Sequence, residues 1–196
     1  KFASLTDIIF NYMKYKMIVL DLDGTLTNDK KEITPKTKNA LMKAQEKGVR
    51  IVLASGRPTY GITALAEELE LATHGGYILA FNGGKVTDCE NGQVMFEQIL
   101  DESLVPELYN SAIEAGMEIL TYQGNRIAAS ETENKYVKHE AFINKMPLVK
   151  YDDFLNQVVY PINKCLIVGD PAPLHQLELK LLGQLDGKME LYRSAG

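Results

Sequence analysis

The chain has 196 residues, of which 45% are hydrophobic and 24% are charged, and its formal net charge is -5 at pH 7. This composition is typical of a soluble globular protein, and the lack of a basic stretch argues against a nucleic-acid partner. No segment reaches the roughly 20 apolar residues that cross a bilayer.

The opening segment and the cysteines favour a cytoplasmic protein. The apolar patch within Lys1–Tyr12 is interrupted by polar residues and lacks a small-residue cleavage site, so a signal peptide is not expected. Cys89 and Cys165 lie far apart, and we interpret both as reduced core thiols. We therefore expect neither a membrane nor a nucleic acid as partner.

Strands and helices alternate over the first 84 residues. Strands are predicted over 17–22, 49–54 and 77–81, and helices over 35–47 and 59–70. The first helix has Thr34 as its predicted N-cap and Pro35 in its first turn. The strands are continuous apolar runs, which is typical of a parallel sheet covered by helices on both faces. Right-handed crossovers then place all three strand ends on one edge.

The pattern changes after Gly84. Hairpins are predicted around Asn91-Gly92 and around Gly124-Asn125. Further helices are predicted over 102–115, 132–144, 152–158 and 174–185, and further strands over 164–168 and 189–192. Hairpins mixed with helices favour an α+β unit inserted after the third strand.

Two carboxylates follow the first predicted strand, in the segment D-L-D-G-T-L-T over 21–27. Open α/β sheets bind ligands beyond the carboxyl ends of their strands. Asp21 can hold a metal there and attack phosphorus, and Asp23 can protonate the leaving oxygen and later deprotonate water. Gly24 allows a sharp turn, and Thr25 can hydrogen-bond back to fix it. The alternative, an ordinary Asp-Gly turn, is disfavoured by the apolar strand before it.

The second strand ends in Ser55-Gly56-Arg57-Pro58. A hydroxyl followed by a backbone N–H at the mouth of a parallel sheet suits a phosphoryl oxygen. In isolation, the same four residues are equally compatible with a plain strand-to-helix turn.

D-L-D-G-T-L after an apolar strand resembles the first motif of the haloacid dehalogenase-like phosphohydrolases, and S-G-R-P and F-N-G-G resemble their Cof-like subgroup. The resemblance implies that Asp21 is phosphorylated, and that Asp23 is the acid/base while its carbonyl helps to ligate Mg²⁺. It also implies that Arg57 and Asn82 lie near the substrate phosphate or its leaving group, although each is compatible with a structural turn contact. The implied phosphate- and substrate-binding residues are Leu22, Gly24, Thr25, Ser55, Gly56, Arg57, Asn82 and Gly83; the implied metal ligands are Asp21 and Asp23.

The resemblance also implies a Rossmann-like α/β core with a large inserted α/β cap. We predict an N-terminal extension over 1–12, the N-terminal part of the core over 13–84 and the cap over 85–196. Two family features are not found: a lysine after the cap, and the G-D-x-x-[ND]-D segment that completes the metal site. Lys164–Asp170 ends in Gly-Asp but continues as Pro-Ala-Pro, so we interpret it as a cap strand leading into a helix.

These departures predict an incomplete core of about three strands, weak Mg²⁺ binding and slow turnover by these 196 residues alone. We expect that they are part of a longer polypeptide. The predicted function is Mg²⁺-dependent hydrolysis of a small phosphorylated metabolite, a sugar phosphate or a cofactor phosphate, through an aspartyl-phosphate. A phosphomutase and a catalytically incomplete phosphate-binding module are the alternatives. Neither the specific ester nor the oligomeric state follows from the sequence.

Overall fold

The computed structural model describes residues 15–193, and the predicted extension over 1–12 lies outside this range. The chain divides into two compact units, with the division between Glu97 and Gln98. In the described part of the chain, no helix has the length and apolar character that a membrane span requires.

The first unit is an α/β sheet structure. Its elements in chain order are β1 (Met17–Asp21), α1 (Pro35–Glu46), β2 (Arg50–Ala54), α2 (Thr59–Glu68), α3 (Leu71–His74), β3 (Tyr77–Ala80), a 3₁₀ turn (Phe81–Gly83), β4 (Lys85–Asp88) and β5 (Val94–Glu97). Among the described residues the strands form one sheet in the order β1-β2-β3-β4-β5. The first three strands are parallel, as predicted, and the last two are antiparallel to their neighbours.

The parallel register brings the strand ends together. Asp21 pairs with Ala54, and Ala54 pairs with Leu79, so β1, β2 and β3 end within one residue of one another. Apolar side chains from the strands and from α1, α2 and α3 pack into one core, which includes Leu22, Leu41, Ile51, Leu53, Ile62, Leu69, Leu71 and Ile78. A packed core beneath these ends holds the loops that follow them in fixed positions.

The predicted helix over 59–70 is wrong at its end, because the chain breaks before α3. Glu70 adopts a left-handed conformation with φ of 53°. The buried Gln45 side chain of α1 donates from Nε2 to the Leu69 carbonyl at 2.8 Å. This tertiary contact satisfies a carbonyl that α2 leaves open, and it therefore stabilises the break. The N-terminus of α1 is as predicted, since Thr34 accepts from the Thr37 N–H.

The hairpin after Gly84 extends the first sheet. β4 pairs antiparallel with β3, joining Ala80 to Lys85 and Tyr77 to Asp88. The turn of the β4–β5 hairpin contains Gly92, with φ of 72°. The predicted domain boundary after Gly84 therefore falls within the first compact unit.

The second unit contains its own sheet and helices. Its elements are a 3₁₀ turn (Glu102–Leu104), α4 (Val105–Glu114), β6 (Glu118–Gln123), β7 (Arg126–Ala129), α5 (Lys135–Asn144), β8 (Leu148–Lys150), α6 (Phe154–Gln157), β9 (Cys165–Val168) and α7 (Pro171–Gln184). Among the described residues the sheet order is β8-β7-β6-β9. The second core includes Val105, Leu108, Ile119, Phe154, Ile162, Leu177 and Leu181.

In this unit the sequence missed one strand, and two of its predictions differ from the structure. The strand β8 was not predicted, because three residues are too few for a periodic signal. The predicted strand over 189–192 is wrong, since these residues form neither strand nor helix. The predicted helix over 152–158 is limited to the four residues of α6. Lys164–Asp170 is confirmed as the segment that forms β9 and leads into α7.

Candidate active site

The turn after β1 is built around the Leu22 carbonyl. This oxygen accepts hydrogen bonds from the backbone N–H groups of Leu26 at 3.1 Å and Thr27 at 2.9 Å, and from the Thr27 hydroxyl at 2.9 Å. The Leu22 side chain is fully buried in the core. Gly24 lies in the turn with φ of 80°, a conformation that glycine adopts without steric cost. The turn therefore fixes the backbone of Asp21 and Asp23 on either side of the buried Leu22.

The hydroxyl that closes this turn is that of Thr27, whereas the sequence suggested Thr25. Thr27 is buried, and its side chain makes the contact to Leu22. We expect Thr27→Val, which keeps the shape and removes the hydroxyl, to lower the free energy of unfolding by about 0.5–1.5 kcal/mol. Urea denaturation measures this loss. The exposed Thr25 gives the matched control, and an equal loss in Thr25→Val would contradict the assignment.

Asp21 is the last residue of β1, and its side chain is exposed at the edge where the parallel strands end. Its carbonyl accepts from the Leu26 N–H at 3.1 Å, so the backbone is fixed while the carboxylate faces outward. An exposed carboxylate on an immobile backbone is suited to attack an incoming electrophile.

Asp23 is held by two cations. Arg57 Nε lies 3.0 Å from Asp23 Oδ2, and Arg57 Nη2 lies 2.6 Å from Oδ1. Lys31 Nζ donates to the same Oδ1 at 2.8 Å. The Arg57 side chain is 8% exposed, while that of Asp23 is 38% exposed. A two-point contact with a buried guanidinium fixes the plane of the carboxylate, and the exposed side of Asp23 remains accessible.

The surroundings of Asp23 favour its ionised form. Partial burial pushes the pKa of Asp23 upward, but the hydrogen bonds and charges of Arg57 and Lys31 outweigh burial, so the pKa is lowered from its usual 3.8. Asp23 is therefore a carboxylate at neutral pH, the form that can accept a proton.

The loops after β2 and β3 are bonded to each other beside this pair. The Ser55 hydroxyl oxygen accepts from the Arg57 N–H at 3.2 Å, which leaves the hydroxyl proton available to a ligand. Asn82 N–H donates to the Ser55 carbonyl at 3.1 Å, and Phe81 N–H donates to the Arg57 carbonyl at 3.0 Å. Asn82 is exposed and left-handed, with φ of 57°, which asparagine tolerates better than most residues.

The residues named from the sequence lie at the end of β1 and on the three loops that follow β1, β2 and β3. Asp21 ends β1; Leu22, Asp23, Gly24 and Thr25 lie on the first loop, Ser55, Gly56 and Arg57 on the second, and Asn82 and Gly83 on the third. Their roles toward a phosphate stay predictions. Arg57, predicted near the substrate, contacts Asp23.

Two residues of this region were not predicted, Thr27 and Lys31. The only sequence signal for either is its place within a few residues of the D-L-D-G-T-L motif.

These residues fit a Mg²⁺ site only in part. The Asp21 carboxylate and the Asp23 carbonyl are hard oxygen donors of the kind that Mg²⁺ prefers, but Mg²⁺ demands octahedral coordination. The Asp23 carboxylate is engaged by Arg57 and Lys31. Over residues 15–193, no three His, Cys, Asp or Glu side chains gather where a metal could be held.

The chain matches a known family over most of its length. A family model described as haloacid dehalogenase-like hydrolase covers residues 18–196. The chain belongs to the haloacid dehalogenase-like hydrolases. A solved haloacid dehalogenase-like hydrolase from Bacteroides thetaiotaomicron is 48% identical, with a TM-score of 0.89 over 93% of this chain and 68% of that one. The resemblance of the D-L-D-G-T-L segment is thereby confirmed, and with it the α/β fold class.

Curated members of the family are longer than this chain. A Streptococcus pyogenes serotype M6 protein is 34% identical over 138 residues, which are 69% of this chain and 51% of that protein. The 5-amino-6-(5-phospho-D-ribitylamino)uracil phosphatase of Bacillus subtilis is 25% identical over 170 residues, which are 86% of this chain and 66% of that enzyme. The chain thus spans about half to two thirds of the length of these haloacid dehalogenase-like relatives.

Proposed function

We propose that this haloacid dehalogenase-like protein is a Mg²⁺-dependent phosphatase that hydrolyses a small phosphate monoester. The observation that carries the proposal is the pair at the end of β1: an exposed Asp21 carboxylate and, two residues later, Asp23 fixed by Arg57. A nucleophile and a proton-transfer group at the ligand-binding edge of a parallel sheet are the requirements of hydrolysis through a covalent intermediate.

The proposed reaction has two steps. Asp23 is ionised in the free site, so it must first take up a proton from solvent. An oxygen of Asp21 then attacks phosphorus, the bond to the leaving oxygen breaks, and Asp23 gives that oxygen its proton. Water then attacks the aspartyl-phosphate, Asp23 takes a proton from it, and inorganic phosphate leaves Asp21. Arg57 and Lys31 stabilise the ionised form of Asp23. Because the ionised form accepts a proton, the site without substrate holds Asp23 in the state that the second step requires.

In this proposal the loop of Ser55 and a bound Mg²⁺ would stabilise the phosphoryl group. The Ser55 hydroxyl keeps its proton for a phosphoryl oxygen, and Gly56 follows it at the sheet edge. The Asp21 carboxylate and the Asp23 carbonyl would hold Mg²⁺, which when bound neutralises charge between the carboxylate and the phosphate. Positioning and charge stabilisation supply most of the rate in phosphoryl transfer.

The name of one relative supports the substrate class that we propose. The Bacillus subtilis relative acts, by its name, on a phosphorylated metabolite. We propose a sugar phosphate or a cofactor phosphate for this protein, with the second unit acting as the cap that selects the ester. We propose a cytoplasmic setting, without a nucleic-acid or membrane partner.

The test is a substrate screen with the full-length protein. We expect inorganic phosphate to be released from sugar phosphates or phosphorylated cofactor precursors, and we expect EDTA to suppress the release and added Mg²⁺ to restore it. Colorimetric detection of phosphate measures both results. Formation of an isomeric phosphate without free phosphate would favour a phosphomutase, and binding without either product would favour a phosphate-binding module.

A further inference from the structure

Residues 28–32 form a tight loop that directs Lys31 toward Asp23. Asn28 anchors the loop: its carbonyl accepts from the Lys31 N–H at 2.8 Å, and its Oδ1 accepts from the N–H groups of Lys30 at 2.9 Å and Glu32 at 3.1 Å. Asn28 N–H donates in turn to the Glu32 carbonyl at 3.0 Å. The loop therefore has little freedom of its own.

The two residues that flank the loop are buried and hold it against the core. Thr27 and Ile33, on either side of it, form an antiparallel bridge, and both are buried. Thr27 is the residue whose hydroxyl closes the turn of the two aspartates. The backbone position of Lys31 is consequently set by the hydrogen bonds of this loop and by the bridge beside it.

Lys31 has a backbone conformation that is unfavourable for lysine. Its φ is 61°, in the left-handed region where glycine and asparagine are favoured over residues with long side chains. Strained positions of this kind persist where the surrounding structure enforces them, and they are frequent at functional sites. The side chain is 25% exposed, and its Nζ lies 2.8 Å from Asp23 Oδ1.

We propose that Lys31 is a positioning residue for Asp23, which with Arg57 fixes the orientation of the carboxyl group that exchanges a proton with the leaving oxygen. Arg57 binds both carboxylate oxygens from one side, and Lys31 binds Oδ1 from the neighbouring loop. The two cations come from different loops, so together they prevent the carboxyl group from pivoting. The inference rests on the proposed phosphatase function.

The proposal predicts a dependence on the leaving group. An alkyl oxygen, as in a sugar phosphate, must gain a proton as it leaves, so its departure needs a well-oriented Asp23. p-Nitrophenolate is a stable anion and leaves without that proton. Because kcat/KM reports only the steps up to departure of the leaving group, misorientation of Asp23 lowers kcat/KM for alkyl phosphates selectively. General damage to the fold or to phosphate binding lowers kcat/KM for both classes.

The experiment compares Lys31→Asn, Lys31→Arg and the matched control Lys30→Asn in the full-length protein. Asparagine accepts the left-handed conformation but carries no charge, so Lys31→Asn is expected to melt no lower than the wild type. Its kcat/KM on an alkyl phosphate should fall by about tenfold or more, with much less change on p-nitrophenyl phosphate. Lys31→Arg should recover most of the loss, and Lys30→Asn should match the wild type on both substrates.

Each contrary result has its own meaning. Equal losses of kcat/KM on both substrates, or no loss in Lys31→Asn, would overturn the positioning role while the phosphatase function stands. A loss in Lys30→Asn as large as that in Lys31→Asn would assign the effect to the loop, and would likewise overturn the role of the ammonium group. A wild-type protein without activity on either substrate class would overturn the proposed function, and this inference with it.

Discussion

Replacing Asp21 with asparagine should reduce phosphate release by the full-length protein by a factor on the order of 10⁴ or more. Asparagine has nearly the same shape, but its amide oxygen cannot form the acyl-phosphate bond that the proposed first step requires. Since Asp21 is exposed and its backbone contact to Leu26 is retained, thermal unfolding should change little. Steady-state assays and a melting curve measure the two expectations.

The control for this variant is Asp29→Asn, an exposed aspartate on the loop that follows the same turn. It makes the same change of charge outside the site, and it should retain wild-type turnover. Rapid quenching with a ³²P-labelled ester provides the direct readout, because the wild type should carry acid-stable label and Asp21→Asn should carry none. Undiminished turnover in Asp21→Asn would remove the basis of the proposed function.

Asp23→Asn is expected to show two separable losses. The kcat should fall by about 10²–10⁴-fold, because the variant cannot give or take the proton. The free energy of unfolding should also fall by about 1–3 kcal/mol, because the largely buried Arg57 loses its carboxylate partner. Urea denaturation measures the second loss independently of turnover. An Asp23→Asn variant with wild-type kcat on alkyl phosphates would refute its assignment as the acid/base.

The stability loss in Asp23→Asn should depend on pH with a definite sign. The pKa of Asp23 is lowered in the folded state from 3.8, so the ionised carboxylate stabilises the fold above that value. This contribution is lost as the pH falls through the lowered pKa. The difference in unfolding free energy between wild type and variant should therefore be largest near neutral pH and shrink as the pH falls below 3.8.

A double-mutant cycle tests whether the loss of unfolding free energy in Asp23→Asn comes from the contact between Asp23 and Arg57. Arg57→Gln removes the guanidinium, and the double variant Asp23→Asn with Arg57→Gln should be less destabilised than the sum of the single changes. Additive losses would show that the contact of Arg57 with Asp23 does not stabilise the fold. The pair of Lys38 and Glu68, 3.6 Å apart and more exposed, provides a control cycle in which we expect near-additivity.

Sequence patterns predicted those features of this protein that depend on neighbouring residues along the chain. Continuous apolar runs identified β1, β2 and β3 as parallel strands, and their pairing is parallel. The burial on both faces that such runs predict is wrong for β1, the outer strand of the described sheet, where Met17 and Val19 are 47% and 56% exposed. Parallel strands share one carboxyl edge, so the residues that follow the three strands were expected to lie together. The segments D-L-D-G-T-L, S-G-R-P and F-N-G-G resembled the family that the match over 18–196 confirms.

The partners of Asp23 depended on tertiary structure. Arg57 is 34 residues from Asp23, and no local pattern distinguishes a contact with Asp23 from a contact with a substrate phosphate. The attachment of β4 to β3, and the short strand β8, follow likewise from pairing with strands already in place.

Hydrophobic periodicity and turn chemistry are local properties, so they specify which side chains reach the sheet edge. How these side chains pair with one another depends on the assembled fold. Lys31 reaches Asp23 because Asn28 closes its loop and the bridge of Thr27 with Ile33 holds that loop against the core. Hydrogen bonds between separate loops depend on distances that arise only once the sheet has assembled, and no pattern along the chain encodes them.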